Sequence, residues 1–224
     1  GHSQGGITLQ ASLAGLDYCD DDTDCFKKES AEARQAYVKG IALSGANVDM
    51  TTDDTGSKLA KLGKLGMKLR GLLLRLTDRI VVRGLTTKRI LSHFANAKPG
   101  DCLYHRDNAS KEAQLALYQR TVEASSTTIV VQYIEGIHNG GIRALGSAEK
   151  FSDHLSDIKV PSVQVTYGLD PMALPATTLR DDFDRVGSAQ KKFYTYEGQG
   201  HEDWMMNPDM HADWEAPIAW LLTQ

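Results

Sequence analysis

A serine stands near the start of the chain between glycines. Far downstream, an aspartate and then a histidine each follow a strand-like stretch. The serine lies in Gly1-His2-Ser3-Gln4-Gly5-Gly6. This spelling matches the Gly-x-Ser-x-Gly turn, in which a strand ends sharply, a strained serine sits at the tip and a helix follows at once. Glycine suits the flanking positions because a Cβ there has little room beside the turn. The serine hydroxyl then stands above the sheet, open to substrate. The backbone N–H of the next residue, here Gln4, faces any oxyanion that forms on that substrate. Such a short pattern of common residues gains weight only from what lies downstream.

Downstream, Ile158-Lys159-Val160-Pro161 leads into Ser162-Val163-Gln164-Val165-Thr166-Tyr167 and then Gly168-Leu169-Asp170-Pro171. The middle stretch alternates β-branched or aromatic residues with polar ones between Pro and Gly, and predicts a strand. Asp170 falls just past its carboxyl edge, where the functional groups of α/β sheets gather. Lys192 to Tyr196 predicts a second strand, and Gly198-Gln199-Gly200 carries the chain to His201. Each of the three has a plainer alternative. Ser3 could be a solvated terminus or an expression remnant. Asp170 could be a turn former before Pro171, with Asp181, Asp182 and Asp184 as other acids. His211, between Asp209 and Asp213, competes with His201 but reads as a helix entry.

Three segments resemble the α/β-hydrolase superfamily, and within it the lipases and esterases. They are Gly-His-Ser-Gln-Gly-Gly at 1–6, the Val-Pro-strand-Gly-x-Asp-Pro run at 160–171, and Gly-x-Gly-His-Glu at 198–202 before a final helix. Together they bracket almost the whole chain, and the order Ser, Asp, His is that of this superfamily. The resemblance implies a serine hydrolase acting by acyl transfer to water, most simply on a carboxylic ester. Ser3 would attack the acyl carbon, and His201 would take and return the proton. Asp170 would orient the imidazole, and the Gln4 N–H would serve the oxyanion hole. A serine at the elbow speaks against the dehalogenase and epoxide-hydrolase branches, which place Asp there. Thioesterases, peptidases and acyltransferases share similar elbows. No metal or organic cofactor is implied, and the expected substrate is a small-molecule or lipid ester. A non-catalytic relative that binds a ligand or partner is the alternative from another class, although such a module has no need of all three residues. The superfamily's sheet has strands before the nucleophile, and a loop there carries the second oxyanion donor. With the serine at position 3, the expectation is the C-terminal portion of such a sheet.

Composition sets the frame. The chain has 224 residues, 41% of them hydrophobic, with a formal net charge of −4. That length fits one large domain or a domain with an insertion. The mild charge does not suggest a nucleic-acid partner, and no run of eighteen apolar residues predicts a spanning helix. Cys19, Cys25 and Cys102 make no zinc pattern. Cys19 and Cys25 could pair across their short acidic loop or stay reduced, so the compartment is open.

The elements that must hold the three residues divide into an α/β core over 1–50, a mainly helical cap over 51–157 and a return to the core over 158–224. Ile7 to Leu16 predicts the helix behind the serine, with its positive end toward the site. Asp20-Asp21-Asp22-Thr23-Asp24 has the carboxylates of a calcium loop. It lacks the turn glycine and the closing Glu of one, so a solvated loop is expected. Glu29 to Tyr37 predicts a helix and Val38 to Gly45 a strand. In the cap, Lys58 to Ile80 carries leucines at spacings of three and four opposite a basic face. This predicts a lid helix that could also meet an anionic lipid surface. Thr86 to Asn96 and Ser110 to Ala124 predict two more helices. Thr127 to Ile134 fits either helix or strand, and Asn139-Gly140-Gly141 predicts a turn. Ala176 to Val186 and Trp214 to Leu222 predict the last helices, the latter closing on the sheet. Trp204, Met205 and Met206 are expected against the sheet edge or an acyl pocket.

Overall fold

The computed structural model describes residues 1–17, 24–49, 104–117, 127–144, 147–170 and 176–224. The expectations for the Lys58 to Ile80 stripe and the Thr86 to Asn96 helix lie outside them, as do Asp20, Asp21 and Asp22.

Three strands form a parallel sheet in the order β1 (Ile41–Ser44), β2 (Ser162–Tyr167), β3 (Lys191–Tyr196). The register pairs Ile41 with Ser162 and Ser162 with Lys191, so all three strands start level and run the same way. Their carboxyl ends therefore emerge on one edge. β2 is buried at every position, as a central parallel strand covered on both faces must be. It coincides with the alternating stretch, and β3 begins one residue earlier than the pattern suggested. β1 is shorter than the predicted Val38 to Gly45, because backbone pairing with β2 is limited to Ile41–Ser44.

Helix α1 (Ser3–Leu13) packs on β1, on α2 (Lys28–Gln35) and on a 3-10 turn at Phe151–Asp157. It starts four residues before the predicted Ile7. Its buried residues are Gly6, Ile7, Gln10, Ala11 and Leu13, with Leu9 only partly covered. Gln10 is tolerated in this buried face because its amide donates to the Ala46 carbonyl at 2.8 Å. The loop beyond α1 closes through an antiparallel bridge between Leu16 and Phe26. Beside it lies Cys25, which is fully buried and disulfide-bonded. Its partner lies outside the described residues, where both Cys19 and Cys102 stand.

The helix expected from Ser110 is α3 (Lys111–Ala116), which Ser110 caps, its hydroxyl accepting from the Ala113 N–H at 3.1 Å. The ambiguous segment is helical, α4 (Thr127–Asn139). Val131, Ile134 and Ile137 recur every third residue toward the interior, and this burial outweighs the weak helix propensity of its β-branched residues. Gly140 and Gly141, both at positive φ, turn the chain after it. Ile142, Ala144, Phe151 and Leu155 join Ile7, Leu43, Val160 and Phe183 in one apolar cluster. That cluster anchors the end of the long β1–β2 connection to the sheet. Helix α5 (Ala176–Arg185) packs on β2, β3 and the 3-10 turn. After β3 come α6 (Asp203–Met206), a 3-10 turn at Pro208–Trp214 and α7 (Glu215–Leu222), which lies against β1 and β2. No helix among the described residues is long and apolar enough to cross a membrane.

Candidate active site

Four segments end at the carboxyl edge of the sheet. The first is Gly1-His2, which runs beside the free edge of β1. His2 bridges Ser44 in parallel, and the Ser44 N–H donates to the Gly1 carbonyl at 2.9 Å. The chain then reverses at Ser3, whose φ of 49° lies in the left-handed region that non-glycine residues seldom enter, and α1 begins there. A strained serine thus joins a strand-like stub to a helix. The Gln4 N–H lies in the first turn of α1, where amides have no intrahelical acceptor. The glycines are not equivalent. A Cβ on Gly1 would sit 2.7 Å from the Gly6 Cα, and one on Gly6 would sit 2.4 Å from the Ala46 Cβ. Gly5 has nothing within 4 Å, so the close approach is made by Gly6 and not by the second glycine of the five-residue pattern.

β1 delivers Gly45, β2 delivers Asp170 and β3 delivers His201. Nδ1 of His201 and Oδ2 of Asp170 are 2.6 Å apart, with side chains only 3% and 0% exposed. In the neutral ring, with the Asp170 carboxylate as acceptor, Nδ1 donates and Nε2 carries the lone pair. Burial pulls the His201 pKa down. The Asp170 hydrogen bond, the Asp170 charge and the Glu202 charge outweigh it and hold the group above the ordinary histidine value.

The elbow lies directly beside this pair. The ring of His2, the residue before Ser3, is 4.7 Å from the ring of His201, centroid to centroid. Nδ1 of His2 meets the Ser44 hydroxyl at 2.9 Å, and that hydroxyl meets the Tyr167 hydroxyl at 2.7 Å. Mainly through burial, Tyr167 is held above the ordinary tyrosine pKa and stays a neutral phenol. Ser3 is partly exposed, and among the described residues its side chain makes no hydrogen bond. The structure therefore brings Asp170 and His201 into contact and sets Ser3 next to them without a serine–histidine bond. Such bonds are commonly loose before substrate binds.

The alternative residues stand elsewhere. Oδ2 of Asp182 accepts from the Val48 and Asp49 N–H groups at 3.1 and 2.8 Å, and its Oδ1 pairs with Arg185 at 2.7 Å. Asp181 and Asp184 are exposed, and so is His211 in the Pro208–Trp214 turn. Trp204 packs against His2 and Trp214, while Met205 is 45% exposed.

Sequence reasoning missed Asp203. It is completely buried and accepts from the Gly200 N–H at 2.7 Å, the His105 N–H at 2.8 Å and the Asn108 side chain at 2.6 Å. It fixes the loop that carries His201 against residues 104–108. An acidic residue two places after a histidine is too common a pattern to have signalled this.

No protein-family model and no curated protein sequence matches the chain. Solved structures do. The monoacylglycerol lipase of Paleococcus ferrophilus superposes with a TM-score of 0.53 at 15% identity, over 100% of this chain and 66% of that one. An esterase from Exiguobacterium antarcticum gives 0.56 at 16% identity, over 99% of this chain and 65% of that one. A thermostable carboxyl esterase from Bacillus coagulans gives 0.57 at 12% identity, over 100% and 63%. The chain has the α/β-hydrolase fold. Ser3 follows the stub beside β1, while Asp170 and His201 follow β2 and β3, all at one edge of the sheet. The chain spans about two thirds of the length of these structures. A shared fold does not by itself fix the chemistry, which has to be argued from the site.

Proposed function

We propose that the protein carrying this chain is a serine hydrolase of carboxylic esters, with Ser3, His201 and Asp170 as its triad. The observation that carries this reading is the 2.6 Å contact between His201 Nδ1 and Asp170 Oδ2 beside a serine at positive φ. A buried imidazole oriented by a buried carboxylate, with Nε2 left unprotonated, is the arrangement that a hydroxyl nucleophile needs. Ser3 Oγ attacks the acyl carbon as its proton passes to His201 Nε2. The carbonyl electrons move onto oxygen, where the Gln4 N–H donates to the oxyanion. Collapse expels the alcohol, which takes the proton back from Nε2, and leaves Ser3 acylated. Water then repeats both steps and releases the acid. Asp170 stabilises the imidazolium in each half without taking its proton. The ester class draws support from the lipases and esterases among the structural neighbours.

The disulfide at Cys25 favours an oxidising compartment. The test is covalent labelling of the protein carrying this chain with a fluorophosphonate, alongside hydrolysis of short p-nitrophenyl esters. Ser3→Ala should abolish both, and Asp170→Asn should cut kcat by about 10⁴-fold, as loss of the orienting acid does elsewhere. Labelling that survives in Ser3→Ala assigns the nucleophile to another residue. A folded parent that neither labels nor turns over ester is a binding protein on this fold.

A further inference from the structure

Beside the proposed triad lies a donor set that ester hydrolysis does not use. Nε2 of His2 stands 3.4 Å from Oε1 of Glu202, and donor atoms of His2, His201 and Glu202 all fall within 4.8 Å of one another. Beyond that ion pair these groups are poorly satisfied. Nε2 of His2 and Oε2 of Glu202 are both buried, and neither makes a hydrogen bond. Buried polar atoms are normally paired, so each such vacancy calls for something to fill it. Both histidines are also already tied on the opposite nitrogen. His2 Nδ1 meets the Ser44 hydroxyl at 2.9 Å, and His201 Nδ1 meets Asp170 at 2.6 Å. A second-shell bond of this kind is what orients a metal-bound imidazole and fixes which nitrogen ligates. Here both rings present Nε2 toward the shared donor cluster, that of His2 3.4 Å from Glu202.

We infer that His2, His201 and Glu202 form a binding site for a divalent transition ion of the zinc class, which would hold the enzyme inactive while bound. With bonds of about 2.0–2.1 Å, neighbouring ligands around tetrahedral zinc stand about 3.3–3.4 Å apart, which the His2–Glu202 separation matches. The His201 donor, within 4.8 Å of the other two, closes in to complete three ligands, and water takes the fourth position. Two imidazoles and one carboxylate suit zinc in donor type and do not suit calcium or magnesium, which prefer oxygen throughout. The inhibitory consequence rests on the reading of His201 as the general base. A metal on Nε2 occupies the lone pair that would accept the Ser3 proton. Binding itself does not depend on that reading.

Calorimetric titration of Zn²⁺ into the metal-free protein measures the site without substrate, and ester hydrolysis over the same Zn²⁺ range measures its effect. One equivalent should bind, and activity should fall with the same midpoint. His2→Gln and Glu202→Gln, both at partly exposed positions, should each weaken binding by at least the about 10–100-fold that follows loss of an outer-shell partner. Inhibition in each variant, scored against its own metal-free rate, should shift by the same factor. His154→Gln, which removes a histidine paired with Asp157 at 3.5 Å, should leave the zinc affinity unchanged. Absence of saturable binding, equal affinity in all three variants, or loss in His154→Gln alone overturns the proposal. Binding that is lost in His2→Gln and Glu202→Gln, in a protein that never reacts with a fluorophosphonate, keeps the metal site and rejects the hydrolase reading.

Discussion

A Cβ built on Gly45 would stand 2.9 Å from Cε1 and 3.0 Å from Nδ1 of His201, and 3.3 Å from Oδ2 of Asp170. The end of β1 is thus one wall of the histidine's pocket, and the hydrogen-bonded pair rests directly on backbone. Gly45 also has a φ of 53°, so two independent constraints meet at one residue. Alanine there should cost about 1–2 kcal/mol for the left-handed backbone alone. The added methyl also pushes the imidazole away from Asp170. Displacement of a catalytic group by about 1 Å can lower turnover by about 10²-fold. Denaturant midpoints and kcat measured on Gly45→Ala should both fall, with KM little changed. A variant of wild-type turnover would show that His201 does not need this wall.

Asp203 gives a second prediction, on the loop and not on the pair. Its carboxylate holds the N–H groups of Gly200 and His105 and the side chain of Asn108, all from within the interior. Asp203→Ala leaves these donors without their acceptor, at about 1–3 kcal/mol for each one that stays buried and unpaired. Because the loop can relax toward solvent, the net destabilisation should be about 2–4 kcal/mol, read from thermal or denaturant unfolding. Turnover should drop with it, since His201 lies two residues away. If stability is unchanged, water replaces the carboxylate and the loop is held by other contacts.

These contacts mark where the sequence stops being informative. The strands β2 and β3 were legible because alternation between Pro and Gly is a local signal, and parallel pairing then puts Asp170 and His201 on one edge. The choice of Asp170 over Asp182 was not local. It depends on which carboxylate faces the histidine and which faces the Val48 and Asp49 amides, and those amides stand 134 and 133 positions from Asp182. The elbow was legible as a pattern, but the role of Gly6 was not, because its constraint comes from Ala46, just past the end of β1. Helix α4 was ambiguous because its β-branched residues favour a strand, while its apolar spacing, read against the core, favours a helix. His2 and Ser44 stand 42 positions apart and Ser44 and Tyr167 123 apart, and only the folded sheet makes them a hydrogen-bonded row.

The electrostatics of His201 give the last prediction. Burial disfavours the imidazolium, but the Asp170 bond and the charges of Asp170 and Glu202 favour it more, so the folded-state pKa lies above the ordinary 6.5. A general base must be neutral to accept the Ser3 proton. As pH falls through this raised pKa the base is lost, and the acid limb of kcat/KM should therefore lie above pH 6.5. The stability linkage has a related sign. The cation is bound more tightly in the folded state, so its contribution is fully present below the unfolded pKa and is lost as pH rises through the folded one. Glu202→Gln removes one of the charges that hold the value up, so its acid limb should move toward lower pH while the Asp170 contact persists. Stopped assays of kcat/KM between pH 5 and 9, in buffer with a chelator so that no metal competes for Nε2, read both effects. An acid limb at or below that of free histidine, or one that Glu202→Gln leaves in place, would mean that the Glu202 carboxylate does not act on the imidazole.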